Sequence, residues 1–135
     1  MARIETVLPE GWPRPPGYSN GVVASGRVLY VAGQIGWDAA GTFVGDDMRS
    51  QFKQALANVL AVVRAAGGEA TDVVRLTAYL VDLDAYRSDL RGYGLAYREV
   101  MGKHFPAMAF VGVSGLVEPR ALIEIEATAV LPERP

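Results

Sequence analysis

Two glutamates near the end of the chain are the first candidates for chemistry. Residues 122–130 read Leu-Ile-Glu-Ile-Glu-Ala-Thr-Ala-Val, and they alternate as the residues of a strand with one buried face do. Glu124 and Glu126 therefore share one face, about 7 Å apart along the strand. A carboxylate there can hold and partly deprotonate a water molecule. The ordinary alternative is an ion pair, for Glu124 with Arg75 or with an arginine of a neighbouring copy, and for Glu126 across an interface.

The composition excludes several kinds of site. The chain of 135 residues contains no cysteine and one histidine, His104. Disulfides, thiol nucleophiles, zinc–cysteine sites and histidine-pair metal sites are therefore ruled out, and we expect no metal. The net charge is −2 without a lysine or arginine cluster, which disfavours nucleic-acid binding. No apolar run approaches a membrane span, and the N-terminus lacks a signal-peptide core. We expect one domain, residues 1–135, in the cytoplasm and without membrane contact.

The elements that must position these residues alternate between strand and helix patterns. Apolar residues recur at helical spacing in two segments and alternate in the others. Gly92 and Gly94 weaken the second helix relative to alanine. The sequence predicts a strand in residues 2–8, followed by a hairpin of 22–25 with 28–32 around Gly26. A helix then runs from Asp46 or Asp47 to Gly67 and is followed by a strand over 73–81. A second helix runs from Asp84 or Ser88 to Pro106, and two final strands end the chain.

Two helices cover only one face of a six-stranded sheet, so the sequence predicts that the other face is open. That face would carry Arg75, Tyr79, Glu124 and Glu126. An open sheet face of this size is typical of a protein that assembles into oligomers. The predicted fold class is α+β, with a six-stranded mixed sheet and two helices on one face.

Short segments spread in order along the whole chain carry a resemblance to a known family. They are Tyr18-Ser19, Ala32-Gly33-Gln34, the first helix with Gln51 and Asn58, Thr77-Ala-Tyr-Leu, Phe105-Pro106-Ala107 and Ile123-Glu-Ile-Glu. Together they resemble the RidA/YjgF family, also named endoribonuclease L-PSP and known for enamine and imine deaminases. The resemblance implies a chorismate-mutase-like protomer and a homotrimeric barrel, with small-molecule sites in the clefts between subunits.

The resemblance also assigns roles to individual residues. Glu124 matches the glutamate that orients the water attacking the imine carbon, so it is the predicted catalytic residue. Tyr18 matches a tyrosine that lines the cleft, and Gly33 and Gln34 match a Gly-Gln motif at the substrate. A glycine lets a ligand approach the backbone closely. The structural alternative for Gly33, a bulge or a tight turn, is equally open.

Met108 is the main departure from the family pattern. In the resembled deaminases an arginine follows Pro-Ala and clamps the substrate carboxylate. Losing a charged hydrogen bond of about 1.5–3 kcal/mol should weaken carboxylate-bearing substrates by about tenfold to several hundredfold. A thioether instead makes the cleft apolar and adaptable, and the alternative is plain packing in an inactive pocket. Leu90 replaces a frequent asparagine, and Arg120, in the turn before the last strand, is a candidate to restore the charge.

The resemblance therefore predicts a small-molecule-binding homotrimer that hydrolyses a reactive imine or enamine in its intersubunit clefts. Met108 makes a rather apolar or uncharged ligand the expected one. No cofactor is expected, because imine hydrolysis requires only a positioned water and a proton acceptor. A non-catalytic ligand-binding or chaperone-like trimer is the alternative. Ribonuclease activity, which one family name suggests, is disfavoured by the acidic balance and the lack of a histidine pair.

Overall fold

The computed structural model describes residues 3–134, which contain six strands, three α-helices and one 3-10 turn. These elements are β1 (Ile4–Val7), β2 (Gly21–Ala24), β3 (Arg27–Gln34), α1 (Met48–Ala65), the 3-10 turn (Ala70–Asp72), β4 (Val73–Leu80), α2 (Leu83–Arg87), α3 (Leu90–Met101), β5 (Ala107–Gly112) and β6 (Ile123–Leu131).

The main sheet has the strand order β3-β6-β4-β5 and is mixed, because β4 and β5 run parallel while the other neighbours are antiparallel. Helix α1 packs on β3 and β6 and against α3, so the helices lie on one face of this sheet. The predicted α+β class, the mixed pairing and the one-sided helix layer are confirmed.

The six strands form two sheets, which corrects the prediction of one six-stranded sheet. Strand β2 pairs with β1 in a two-stranded sheet, and β3 pairs with β6. The predicted hairpin between β2 and β3 is therefore wrong. Only Ser25 and Gly26 separate these strands, and a two-residue hairpin needs positive φ at its first turn residue. Gly26 has φ 145°, whereas no described non-glycine residue has positive φ, so Ser25 and Gly26 do not form such a turn.

Helix α1 forms where its apolar stripe and its end signals coincide. Asp47, one of the two predicted caps, accepts a hydrogen bond from the Ser50 N–H at 2.9 Å. Gly67 takes φ 90° after the last turn, and the Gly68 N–H donates to the Val63 carbonyl at 2.9 Å. The predicted start and end of this helix are confirmed. Its buried face supplies much of the core above the sheet.

The second predicted helix is two helices, α2 and α3. Asp82 caps α2 by accepting from the Ala85 N–H at 3.0 Å, and Asp89 caps α3 by accepting from the Gly92 N–H at 3.2 Å. The interruption follows from Asp89, which adopts non-helical backbone angles to cap the second piece. Gly102, with φ 65°, follows the last residue of α3 four positions before Pro106, so the proline does not end it.

Strand β6 shows the alternation that the sequence predicts. Ile123 and Ile125 are buried under the helices, while Glu124 and Glu126 lie on the opposite face of the main sheet. That face also carries Arg75, whose neighbour in β6 is Thr128. No described helix packs on this open face, so the residues with titratable side chains remain accessible there.

Candidate functional site

The predicted site residues fall into two groups on opposite faces of the main sheet. Tyr18 and Met108 line a cleft of about 730 Å³ on the helix side, at the edge strand β5. Gly33 and Glu124 come together on the open face. We describe the two places as the apolar cleft and the acidic half-site.

The apolar cleft lies between α3, strand β5 and the segment that precedes β2. Aromatic side chains form most of its wall, and Met108 contributes a thioether. Such a surface favours an apolar ligand group and adapts to its shape. The wall includes Tyr18, Tyr86, Tyr93, Tyr97, Met108 and Phe110.

Tyr18 reaches the cleft because its neighbour Ser19 is fixed to the start of β5. The Ser19 N–H donates to the Pro106 carbonyl at 3.0 Å, and its hydroxyl donates to the Phe105 carbonyl at 2.6 Å. Ser19 also forms an isolated parallel bridge with Ala107. These bonds hold Tyr18 in the wall of the cleft that Met108 also lines, although the two residues lie far apart in the sequence.

Met108 faces the helices because of its register in the sheet. It lies beside Leu76 of β4, which is buried in the core under the helices, and neighbouring residues of paired strands point to the same face. Phe110, two residues further along β5, shares that face, and the centroids of the Phe110 and Tyr86 rings lie 5.1 Å apart. Met108 is half-buried, so its thioether contacts both the core and the cleft.

The cleft tyrosines are donors and packing groups rather than bases. Burial raises the pKa of Tyr93 to about 12, with a smaller contribution from the Asp89 charge, and it also raises the pKa of Tyr97 and of Tyr86. The Tyr97 hydroxyl donates to the His104 carbonyl at 2.5 Å. All three hydroxyls stay protonated near neutral pH, so none of them can accept a proton from water there.

The acidic half-site is built on a bulge in β3. The pairing of β3 with β6 shifts between Val31 and Gln34, which leaves Gly33 at the irregularity. A Cβ on Gly33 would lie 2.5 Å from Oε2 of Glu124. The structural alternative for this glycine, a bulge, is therefore present. The group that approaches its backbone closely is the Glu124 carboxylate.

The Glu124 carboxylate keeps its lone pairs free within the described chain. It accepts no hydrogen bond and forms no ion pair with a side chain of residues 3–134, and the intrachain pair with Arg75 considered above is not formed. Its neighbour in β4 is Tyr79. Gln34 turns its amide toward its own strand, where Nε2 donates to the Ala32 carbonyl at 3.0 Å.

Glu126 has a different environment from Glu124. It accepts a hydrogen bond from the Tyr79 hydroxyl at 2.5 Å, and this bond raises the pKa of Tyr79. Glu126 also lines a shallow hollow of about 240 Å³ with Arg75 and Tyr30. Glu126 is thus engaged by a neighbouring side chain, while the interface ion pair predicted for it stays a prediction.

A single chain does not bring the two groups together. Met108 aligns with Leu76 of β4, and Glu124 aligns with Tyr79, three residues further along. Strand spacings then put the two Cα atoms roughly 14 Å apart, with their side chains on opposite faces. Arg120 is also absent from the cleft wall: its guanidinium pairs with Asp46 at 3.0 Å.

Comparison with known proteins identifies the family. The sequence model of the endoribonuclease L-PSP family matches residues 13–131. A RutC family protein of Pyrococcus horikoshii is 36% identical over 126 residues, 93% of this chain and 96% of the relative. The human 2-iminobutanoate/2-iminopropanoate deaminase is 35% identical over 114 residues, 84% of this chain and 79% of the human one. A Rid family protein of Yersinia pestis has a crystal structure similar to this fold, with TM-score 0.84, 39% identity and coverage of 96% and 100%.

This chain belongs to the RidA/YjgF family. The family predicted from the short sequence segments is confirmed, together with its α+β fold. The family includes a relative that is named as an imine deaminase. The roles of Glu124, Tyr18, Gly33, Gln34 and Met108 stay predictions.

Between residues 3 and 134, no helix has both the length and the apolar character needed to cross a membrane. The described acidic and histidine side chains also form no group of three or more that could hold a metal ion.

The sequence predicted Tyr18 and Met108 in the cleft wall of this RidA/YjgF protein, and Gly94 and Arg98 are among the wall residues that it did not predict. With Leu90 they recur every four residues along α3, which is the spacing of one helix face. The signal was therefore present in the sequence. It was masked because the apolar stripe of the same helix, which includes Tyr93 and Tyr97, dominates the periodicity.

Proposed function

We propose that this protein hydrolyses a small imine, or the enamine that tautomerises to it, to a carbonyl compound and ammonia. One water adds across the C=N bond, and the resulting carbinolamine loses ammonia as its C–N bond breaks. The reaction consumes one water and releases one ammonia, so it needs no redox partner and no cofactor. Similarity to a human protein named as a deaminase of 2-imino acids supports this reaction class.

The observation that carries the proposal is the placement of the Glu124 carboxylate over Gly33. A carboxylate without a partner in the described chain has lone pairs available to hold a water and to accept its proton. The glycine lets this carboxylate lie against the backbone, where a side chain at position 33 would displace it. Glu126, on the same face, is already bonded to Tyr79 and is the poorer candidate.

The proposed active site is completed by a second copy of the chain. Tyr18 and Met108 lie on one face of the sheet and Glu124 on the other, so a ligand cannot touch both groups of a single copy. The open face also exposes large apolar side chains, such as Tyr30 at 79% and Val28 at 52%, as faces that bind a partner chain do. We place the apolar cleft of one copy against the acidic half-site of the next, in the homotrimeric barrel that the family resemblance implies.

Met108 and its aromatic neighbours favour a ligand whose side chain is apolar. The thioether cannot donate a hydrogen bond to a substrate carboxylate. Small carboxylate-bearing imines should therefore be poorer substrates here than in a protein with an arginine at this position. The cytoplasmic location expected from the sequence stays a prediction.

Competition for an imine tests the proposed reaction. An amino-acid oxidase acting on alanine releases 2-iminopropanoate, and semicarbazide converts free imine to a semicarbazone that absorbs in the ultraviolet. The protein should lower the initial rate of semicarbazone formation, because the 2-oxo acid product reacts with semicarbazide more slowly than the imine does. Without semicarbazide it should speed ammonia release, and Glu124→Gln should abolish both effects. The same assay is run with imines of larger side chains.

An unchanged initial rate of semicarbazone formation with every imine would contradict the deaminase proposal. Binding of an imine analogue under those conditions would then indicate the non-catalytic ligand-binding alternative. RNA incubated with stringently purified protein addresses the family name directly, and we expect no cleavage above that seen with Glu124→Gln.

A further inference from the structure

One charged side chain lines the apolar cleft among the described residues, and it is the cation of Arg98. Arg98 forms no ion pair with any described acid, whereas Arg49 and Lys53 on α1 pair with Asp89 and Glu99. The wall contains no aspartate or glutamate. A guanidinium at the rim of an apolar cleft, with no acid beside it, suits the carboxylate of a ligand that enters the cleft.

Arg98 lies on the same stripe of α3 as two other wall residues, Leu90 and Gly94. Residues four apart on a helix are neighbours on one face, about 6 Å apart along the axis. The Arg98 side chain therefore leaves the helix about one turn beyond Gly94. A carboxylate at Arg98 would leave the rest of a ligand lying along the aromatic wall.

Gly94 leaves room in this wall that packing does not require. Glycine in the middle of a helix destabilises it relative to alanine. A Cβ on Gly94 would meet no atom within 4 Å, so an alanine fits the described chain without a clash. Gly92 differs, because the Asp89 carboxylate that caps α3 occupies the space of its Cβ. The loss of helix stability at Gly94 is therefore not offset by any contact in the described chain that requires a glycine.

The size of the cleft exceeds what the smallest imino acids need. A volume of about 730 Å³ lies in the range of sites that hold drug-sized ligands. The imine of alanine has six non-hydrogen atoms and would leave most of this aromatic surface without contact. A ligand with a large apolar side chain would use it.

The groove beside the cleft adds further positive charge. It shares Tyr18 and Phe105 with the cleft, and its wall carries Arg14 and Lys103 but no aspartate or glutamate. This edge of the molecule is positive although the chain as a whole has a net charge of −2. The local field favours an anionic ligand over a neutral one.

We infer that the cleft recognises a 2-imino acid with a bulky apolar side chain, with its carboxylate bound by Arg98 and its side chain against Met108 and the space beside Gly94. The inference rests on the proposed function and adds a substrate class to it. Arg98 supplies, from α3, the positive charge that Met108 cannot supply from β5.

A matched pair of substrates tests the role of Arg98. The imine released from phenylalanine by an amino-acid oxidase carries a carboxylate, and the imine released from 2-phenylethylamine by an amine oxidase has the same ring without it. Wild-type protein should prefer the carboxylate-bearing imine. Arg98→Gln should lower that preference, as the ratio of the two kcat/KM values, by about tenfold, chiefly through KM.

Arg91→Gln is the control, because Arg91 is exposed on the same helix and does not line the cleft. It removes the same charge and should leave the preference unchanged. An equal fall in both variants would mean a long-range charge effect and would overturn the assignment of Arg98. No change in the preference of Arg98→Gln would overturn it as well.

A binding experiment separates this inference from the proposed reaction. In calorimetry, 3-phenylpropanoate should bind the wild-type protein about tenfold more tightly than its amide, and Arg98→Gln should remove the difference. This result without imine hydrolysis would uphold the recognition site and refute the reaction. Hydrolysis with no dependence on Arg98 in either experiment would refute the recognition site alone.

Discussion

The carboxylate of Glu124 lies against the backbone of Gly33, so that a Cβ at position 33 would lie 2.5 Å from its Oε2 atom. The two residues belong to β3 and β6, which are neighbours in the main sheet. The bulge at Gly33 and the orientation of Glu124 therefore depend on each other, and this dependence can be tested without touching the carboxylate itself.

Gly33→Ala should displace the Glu124 carboxylate and reduce deaminase activity. The added methyl group takes the space of Oε2, so the water held there would lose its alignment. We expect kcat/KM to fall by at least about tenfold while the circular dichroism spectrum stays unchanged. Gly115→Ala is the control, because a Cβ at Gly115 meets nothing within 4 Å. Full activity in Gly33→Ala would show that the orientation of Glu124 is not needed.

Glu124→Gln should abolish turnover, while Glu126→Gln should not. Glutamine keeps the size of the side chain but cannot accept the proton of the attacking water, which is a contribution of about 10²–10⁴-fold in rate. Glu126 lies on the same face and accepts a hydrogen bond from Tyr79. Glu126→Gln is therefore the control for removing one negative charge from the open face. Imine competition gives kcat for both variants. Similar losses in the two would indicate a general electrostatic effect rather than catalysis by Glu124.

Met108→Arg should improve the hydrolysis of small carboxylate-bearing imines. Position 108 lines the cleft on the side of β5. A guanidinium there makes a charged hydrogen bond to the substrate carboxylate, which contributes about 1.5–3 kcal/mol. We expect KM for 2-iminopropanoate to fall by about tenfold or more. Met108→Gln adds a polar group without charge and should give a smaller gain. An unchanged KM in Met108→Arg would show that position 108 does not face the bound substrate.

Gly94→Ala should make the protein more stable and less able to use large substrates. Alanine raises helix stability by up to about 1 kcal/mol, which is a rise in Tm of roughly 3–4 °C for a domain of this size. The methyl group enters the cleft, so KM for the phenylalanine-derived imine should rise while KM for 2-iminopropanoate changes less. Thermal unfolding and imine competition measure the two effects. A higher Tm with no effect on either KM would remove Gly94 from the site.

Alkaline pH should destabilise the protein in part through Tyr93. Burial raises its pKa in the folded state to about 12 from 10. The folded state therefore binds this proton more tightly, and the resulting stability is fully present below pH 10 and is lost as the pH rises toward 12. Tyr93→Phe should flatten the fall in Tm between pH 10 and 12, and Tyr30→Phe, on the open face, should not. Equal slopes in the two variants would contradict this assignment.

Much of the fold could be predicted because local signals agreed with each other. The apolar stripe of α1 ends at an aspartate cap and at Gly67, and β6 alternates without interruption. The partner of a strand is a different matter, because it depends on turn geometry and on distant segments. Ser25 does not take the positive φ that a two-residue hairpin needs at its first turn residue, and β6, almost a hundred residues away, pairs with β3 instead.

The candidate site was predicted as a set of residues but not as an arrangement. Family resemblance named Tyr18 and Met108 without showing that Ser19 bonds to the strand start beside Met108. Alternation placed Glu124 on the open face, but the register of β5 that puts Met108 on the other face has no local signal. Arg98 was not predicted, because its spacing from Leu90 and Gly94 points to a binding site only when the position of the cleft is known.

A mixture of two inactive variants tests most directly whether the site is completed between copies. Glu124→Gln removes the carboxylate and leaves the cleft, and Gly94→Trp fills the cleft and leaves the carboxylate. In a cyclic assembly formed from equal amounts of both, about a quarter of the sites pair an intact cleft with an intact Glu124. Co-assembled variants should therefore recover about a quarter of the wild-type rate of imine hydrolysis. A rate no higher than the sum of the two separate variants would contradict a site shared between copies.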